Sequence, residues 1–362
     1  MICARSRVEP SKVTRRSLLL GVLLSAAAAG LVVALLARSG EDPSGDQAPV
    51  ALARATVGAS IAVGGAPVAI AVGARSVWVI DATRGTLSVI DARTRRVKRD
   101  PVHISGGPFA VAVGEGAVWV ACGDGTIRAF DPRNARPVGR AAHVRGPNGL
   151  AAGAGGIWVT SRLARTLTRI DPRTHRSGRP IRVGAGPADV AVGAGSVWVA
   201  NADGGSVTRV DPRTGRPDRP IAVGGRQVRG LAVGEGGVWV ARATGVDADR
   251  IQIVRIDPDD RKVHGRPIGV TGAVPLDIAA GAGSVWITDV GGLRPSGRLS
   301  TGQVTRVDPR RHRIAGLPLR VGKRPSAIAT GAGGAWVANA DDGTVTPISV
   351  TPAPSGGRGV KP

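Results

Sequence analysis

From residue 57 to residue 350 the chain alternates apolar runs of three to six residues with short stretches of Gly, Asp, Pro and Arg. One copy, residues 179–216, reads RPIRVGAGPADVAVGAGSVWVANADGGSVTRVDPRTGR. Its runs are Ile181 to Val183, Ala188 to Val192, Val197 to Ala200 and Ser206 to Val210. Runs this short, rich in Val and Ile and bounded by turn residues, predict strands rather than helices. They are apolar on both faces, so each sheet they build must be covered on both sides.

The pattern repeats. Trp78, Trp119, Trp158, Trp198, Trp239, Trp286 and Trp336 each stand between a small or branched apolar residue and Val or Ile, at spacings of 41, 39, 40, 41, 47 and 50 residues. A four-stranded unit of about 40 residues, repeated seven times and buried on both faces by its neighbours, predicts an all-β, seven-bladed β-propeller. An orphan run, Ser60 to Val63, precedes the first full unit, and the last unit ends after Thr344 to Val350 without an outer strand. The N-terminal run is therefore expected to close the last blade and remove an exposed edge.

The repeated residues have structural duties. Trp is a large apolar anchor between blades. In the Asp-Pro-Arg-Thr turns at Asp131, Asp171, Asp211 and Asp308, with variants at Asp91 and Asp257, Asp bonds its own backbone and Pro presets φ. Gly-x-Gly recurs from unit to unit along the chain with no helix after it, so it marks a hairpin and not a dinucleotide fingerprint.

The repeat P-x-x-[IVL]-A-x-G-x-G-x-[VI]-W-V-A followed by G-T-V-x-R-[IV]-D-P resembles the YVTN-type repeat propellers and the related streptogramin (virginiamycin B) lyase-like propellers, over about residues 57–350. The lyase resemblance implies histidine and acidic residues around a metal ion at one mouth of the ring. The five histidines here, His103, His143, His175, His264 and His312, all fall at or near connections from the fourth run to the next first run. Those connections are expected on the face away from the ligand mouth, with their histidines in water. The chain also has no Gly-x-Ser-x-Gly elbow and no clustered metal-ligand spacing.

The first 56 residues read differently. Residues 1–16 are a basic N-terminus with Arg5, Arg7, Lys12, Arg15 and Arg16. Residues 17–37 are uncharged and, at about 1.5 Å per helical residue, long enough to span a bilayer's hydrocarbon core. The charge asymmetry predicts a single-pass anchor in the cell membrane with everything beyond it outside. Thr14-Arg15-Arg16-Ser17-Leu18-Leu19 also resembles a twin-arginine signal, which makes a secreted protein the alternative. Residues 38–56 read as a linker and 351–362 as a disordered tail.

The net charge of +23 favours anionic partners, but it comes from Arg over Lys by 44 to 5 in an Ala/Gly/Val-rich chain, a composition typical of GC-rich coding. With only 2 Phe, no Tyr and the tryptophans committed to the core, a nucleic-acid partner is not expected. Cys3 and Cys122 cannot make a disulfide framework.

A ligand site, if present, belongs at the mouth, where the inner strands (the second runs) begin and where the third and fourth runs connect. Phe109, Asn148, Asp189, Arg229 and Asp277 break an otherwise small, apolar set of inner-strand starts. Asn201, Asp289 and Asn339 end the Trp-bearing runs on the same side. Together they outline a small-ligand site, with Asp189 and Asp277 the candidates for an amine or a divalent metal and Arg229 for an anion. No other cofactor is expected. The connection after Trp286, with Leu293 to Arg298, is longer than its equivalents and is a second place for binding. The Arg-rich turns on the opposite face suit an anionic surface such as lipid. The reading is a noncatalytic, extracytoplasmic module that binds a ligand or a protein. The alternative is a metal-dependent lyase or hydrolase of the streptogramin lyase class.

Overall fold

A computed structural model describes residues 53–351 except 226, 245–249, 271–274 and 290–301. The expected anchor (17–37), most of the expected linker, the insertion at 293–298 and the C-terminal tail lie outside the described residues. Among the described residues no helix is long and apolar enough to cross a membrane.

Residues 53–351 form seven antiparallel sheets, the blades of a propeller. Blade 1 consists of Pro67–Gly73, Ser76–Asp81, Thr86–Asp91 and Val102–His103, hydrogen-bonded in chain order. The inner strands of the others are Pro108–Gly114, Leu150–Gly153, Pro187–Gly193, Gln227–Gly234, Pro275–Gly281 and Pro325–Gly331. Each inner strand packs against the inner strand of the next blade, and the last packs against the first, which closes the ring around a central channel.

Blade 7 is finished by the N-terminal segment. Ile61–Ala62 pairs with Val345 and Thr344, the expected closing strand. A second piece, Arg54–Val57, pairs with Thr351 to Ile348. The fold therefore begins at Arg54, inside the stretch read as linker. Arg54–Val57 alternates exposed and partly buried positions, and Ala55 and Val57 pack against the Trp286 cluster. The segment's polar residues hid this: half of the strand faces water.

Seven apolar clusters tie the blades together, one at each junction. Trp158 of blade 3 packs with Val190, Val197 and Val199 of blade 4. Trp336 of blade 7 packs with Ile70, Val77 and Val79 of blade 1. The same relation holds at the other five junctions. Five indole N–H groups donate to the carbonyl of the glycine ending their own inner strand, as Trp119 does to Gly114 at 3.2 Å. Several third-strand arginines are structural: Arg306 is 7% exposed, lies 5.0 Å from the Trp286 ring and bonds Ser284. Arg169 lies over Trp158. Part of the large positive charge is thus spent inside the fold.

Two sides of the ring follow from chain direction. Inner strands start at one face, the mouth, and end in hairpins on the other, where the Asp-Pro-Arg turns also lie. Ala92 N–H donates to Arg75 O at 3.1 Å, joining turn to hairpin there.

Candidate ligand site at the channel mouth

Inner strands begin with a defect in their pairing. Pro67 faces Asp81 and Ala69 faces Ile80, so Val68 has no partner. The same slip leaves out Phe109, Ala188, Arg229 and Ser326. An extra residue bends the strand and re-aims side chains. Proline, with no N–H to offer the ladder, suits the position before it. The starts of the inner strands bring Phe109, Asn148, Asp189, Arg229 and Asp277 into one cavity of about 320 Å³, which Ser326 and the small residues Ala69, Ala110, Gly149 and Ala327 also line. Five of the eight expected residues are brought together here.

Four polar groups of this cavity reach across to the next blade. Asn148 Nδ2 donates to Ala188 O at 2.6 Å. Asp189 Oδ2 accepts Leu231 N–H at 3.0 Å. Asp277 Oδ2 accepts Ile328 N–H at 2.9 Å. Ser326 Oγ donates to Pro67 O at 2.6 Å. Each carboxylate also accepts the amide of the residue after it, Val190 or Ile278, at 2.8 Å. These side chains staple blade to blade. Ser326 was missed as a site residue because serine looks unremarkable at a strand start.

Phe109 and Arg229 make no such staple. Arg229 is exposed, and its guanidinium has no hydrogen bond or ion pair among the described residues. It stands on blade 5, between the carboxylate-bearing blades 4 and 6. Burial raises the Asp189 carboxyl above the usual range. Burial pushes Asp277 up to about 7, with the Asp189 charge adding to the effect and the Ile328 and Ile278 amides opposing it. A cation beside the pair would favour the charged form of both carboxylates and oppose this shift.

The other three expected residues are elsewhere. Asn201 is fully buried, and its Nδ2 donates to Ser206 Oγ (3.2 Å) and Thr208 Oγ1 (2.9 Å). Asn339 repeats the arrangement with Thr344 and Thr346. Asp289, also buried, accepts Gln303 Nε2 at 2.9 Å. All three pin the connection from second to third strand within their own blade, and none lines the channel cavity. Asp189 and Asp277 join no group of three His, Cys, Asp or Glu side chains able to hold a metal among the described residues.

The histidines depart from expectation in two ways. His103 and His143 pair with Thr86 and Thr126, which puts them at the mouth end of outer strands, on the rim. His175 is only 7% exposed: it meets Trp119 edge-on at 5.0 Å and its Nδ1 bonds Arg140 O at 2.7 Å. His312 stacks on Trp239 and bonds Arg266 O. Their turns tuck under the long outer strands of blades 2 and 5, where Gly139 and Gly265 leave the room. None of the five histidines lines the channel cavity. Cys122 is buried, and its thiol is held protonated by desolvation.

Comparison with known proteins shows the fold. No protein-family model matches the chain, and no curated protein does. Among solved structures, a streptogramin B lyase matches with a TM-score of 0.67 at 16% identity, over 82% of this chain and 98% of that one. Virginiamycin B lyase from Staphylococcus aureus matches equally well, with 99% of its length covered. So does its catalytically inactive histidine-to-alanine variant with quinupristin, again at 16% identity and a TM-score of 0.67. The chain has the propeller fold of these lyases.

Proposed function

We propose that the protein is a membrane-anchored, extracytoplasmic propeller that binds a small, positively charged ligand in the channel mouth and does no chemistry on it. One observation carries this reading: the five non-repeat residues of the inner strands converge on a single cavity that holds two raised carboxylates and an unpaired arginine, with no histidine among its lining. A cavity of about 320 Å³ suits a small metabolite. Asp189 and Asp277 would receive an amine or a divalent cation, Phe109 would cover its apolar part, and Arg229 would take a carboxylate of the same molecule. The length and flanking charge of residues 17–37 support the anchor and the outward orientation.

The test is a thermal-shift screen of the full-length protein against divalent metals, primary amines and amino acids. A ligand at 100 times its Kd should add about 2.7 kcal/mol. Arg229→Gln removes neither a staple nor a core contact, so it should fold like the parent and lose the shift; Phe109→Ala, which also gives up a contact with the Trp119 cluster, should lose the shift at a lower melting temperature. A shift that survives in Arg229→Gln, Phe109→Ala and Asp189→Asn alike refutes the site. Protease accessibility in intact cells tests the orientation.

The lyase fold supports a second reading, turnover of a streptogramin. Lyase chemistry needs a proton acceptor at the mouth, and a raised carboxyl is the candidate among the described residues that line the channel cavity. Quinupristin incubated with the protein and divalent metal should remain intact by mass spectrometry and chromatography. Its opening, lost in Asp277→Asn, would replace the binding reading.

A further inference from the structure

The hairpins on the turn face share one form: a residue and then a glycine, both with positive φ. Six blades obey, as in Ala154-Gly155 and Ala282-Gly283. Blade 1 does not. It has Ala74-Arg75, and Arg75 adopts φ 60° where every other blade uses glycine. A non-glycine residue there carries strain on the order of 1 kcal/mol. Arg75 is the one side chain that this second hairpin position carries in the seven blades.

Two junctions show what the amide at this position can do. Gly155 N–H donates to Glu115 Oε1 of the preceding blade at 3.0 Å. Gly283 N–H donates to Glu235 Oε1 at 2.9 Å. The hairpin amide is thus a carboxylate receptor built into the repeat. At the junction of blades 7 and 1 the glutamate's place is taken by Ala332, and the amide belongs to Arg75. No side chain of the described residues fills the gap. Instead a cleft of about 780 Å³ opens there, lined by Ala332, Arg75, Arg93, Lys98 and Arg133 with Asp91. Asp91 is already occupied: its Oδ1 accepts the amides of Arg93 and Thr94, and its Oδ2 lies 3.6 Å from Lys98 Nζ. The guanidinium groups of Arg75, Arg93 and Arg133 have no carboxylate partner among the described residues. Four other junctions also lack the glutamate, but there the amide belongs to a glycine, so no side chain stands where blade 1 has the Arg75 guanidinium.

We propose that this cleft binds a small molecule carrying at least two anionic groups, carboxylate or phosphate. One group takes the place of the missing glutamate on the Arg75 amide and guanidinium. The next engages Arg93 and Arg133, and charge-assisted bonds of this kind are the strong ones. The site is on the face opposite the channel mouth and does not depend on what the mouth binds.

Calorimetric titration of the full-length protein at low salt, with citrate, inorganic pyrophosphate and vesicles of phosphatidylglycerol in phosphatidylcholine, tests it. At least one free anion should bind, more weakly as salt rises. Arg75→Gly relieves the strained φ, so it should melt no lower than the parent while its affinity falls by about tenfold or more. Arg93→Gln/Arg133→Gln should fall likewise. Three results overturn the proposal: neither free anion binds, Arg75→Gly binds with unchanged affinity, or only vesicles bind. The last would make this face a membrane-adsorbing surface with no small-molecule site.

Discussion

The two faces of the ring use their departures from the repeat in opposite ways. At the mouth, Asn148, Asp189, Asp277 and Ser326 break an apolar pattern, and each is tied to the backbone of the next blade. On the turn face the repeat itself supplies the polar groups, satisfied within their own turns as Asp171 is by the amides of Arg173 and Thr174. The departure there, Arg75, has a guanidinium without a carboxylate partner among the described residues. A polar residue at an unusual place is therefore ambiguous until its partner is known. Tied groups shape a site, and untied ones are free to meet a ligand.

The strongest way to break this contrast is at Asp277. Asp277→Ala strands the amides of Ile278 and Ile328 in a confined channel, and should lower stability by roughly 2–4 kcal/mol in denaturant unfolding. A loss under about 0.5 kcal/mol would mean that the staple is ornamental.

The same residue sets a pH dependence. Its folded pKa of about 7 lies above the ordinary value of 3.8, so the folded state holds the proton more tightly than the unfolded chain. Stability should accordingly be highest below pH 4 as far as this group is concerned, and fall as pH rises from about 4 to about 7, by on the order of 3 kcal/mol. Asp277→Asn should flatten that decline. An unchanged slope would place the titration elsewhere.

On the turn face, His175→Ala should cost roughly 1–2 kcal/mol by opening space beside Trp119 and freeing Arg140 O, whereas a solvated histidine would cost nothing measurable. The smallest effect is expected where both partners are wet. Arg162 and Asp203 meet at 2.6 Å with half of each side chain exposed, and Arg162→Ala should change stability by less than about 0.5 kcal/mol.

Blade number, strand order and ring closure were legible because they follow from spacing: the tryptophans and Asp-Pro turns mark every unit. The cavity was legible for a related reason, since inner-strand starts occupy equivalent places in every blade. Asn201, Asp289 and Asn339 misled because the end of a strand identifies the face of the ring but not whether a side chain points to the channel or between sheets. His175 misled because its burial depends on Gly139, 36 residues earlier and on another blade. Arg75 was overlooked as a departure because the hairpin reads as Gly-x-Gly in six units, and one arginine among 44 draws no attention without its φ.

Ring closure also bears on how the chain is made. Arg54–Val57 and Ile61–Ala62 leave the ribosome first, yet their partners, Thr344–Thr351, leave nearly 290 residues later. Until then these outer strands have no blade to pair with and the Trp286 and Trp336 clusters are incomplete. A growing chain can stack blades 1 to 6 in order, but the circle stays open until synthesis is almost finished. Contacts across so long a loop form late and slowly. Any partner that holds the early strands during that wait governs whether the protein matures, and a truncation at the far end injures the beginning of the fold as much as its end.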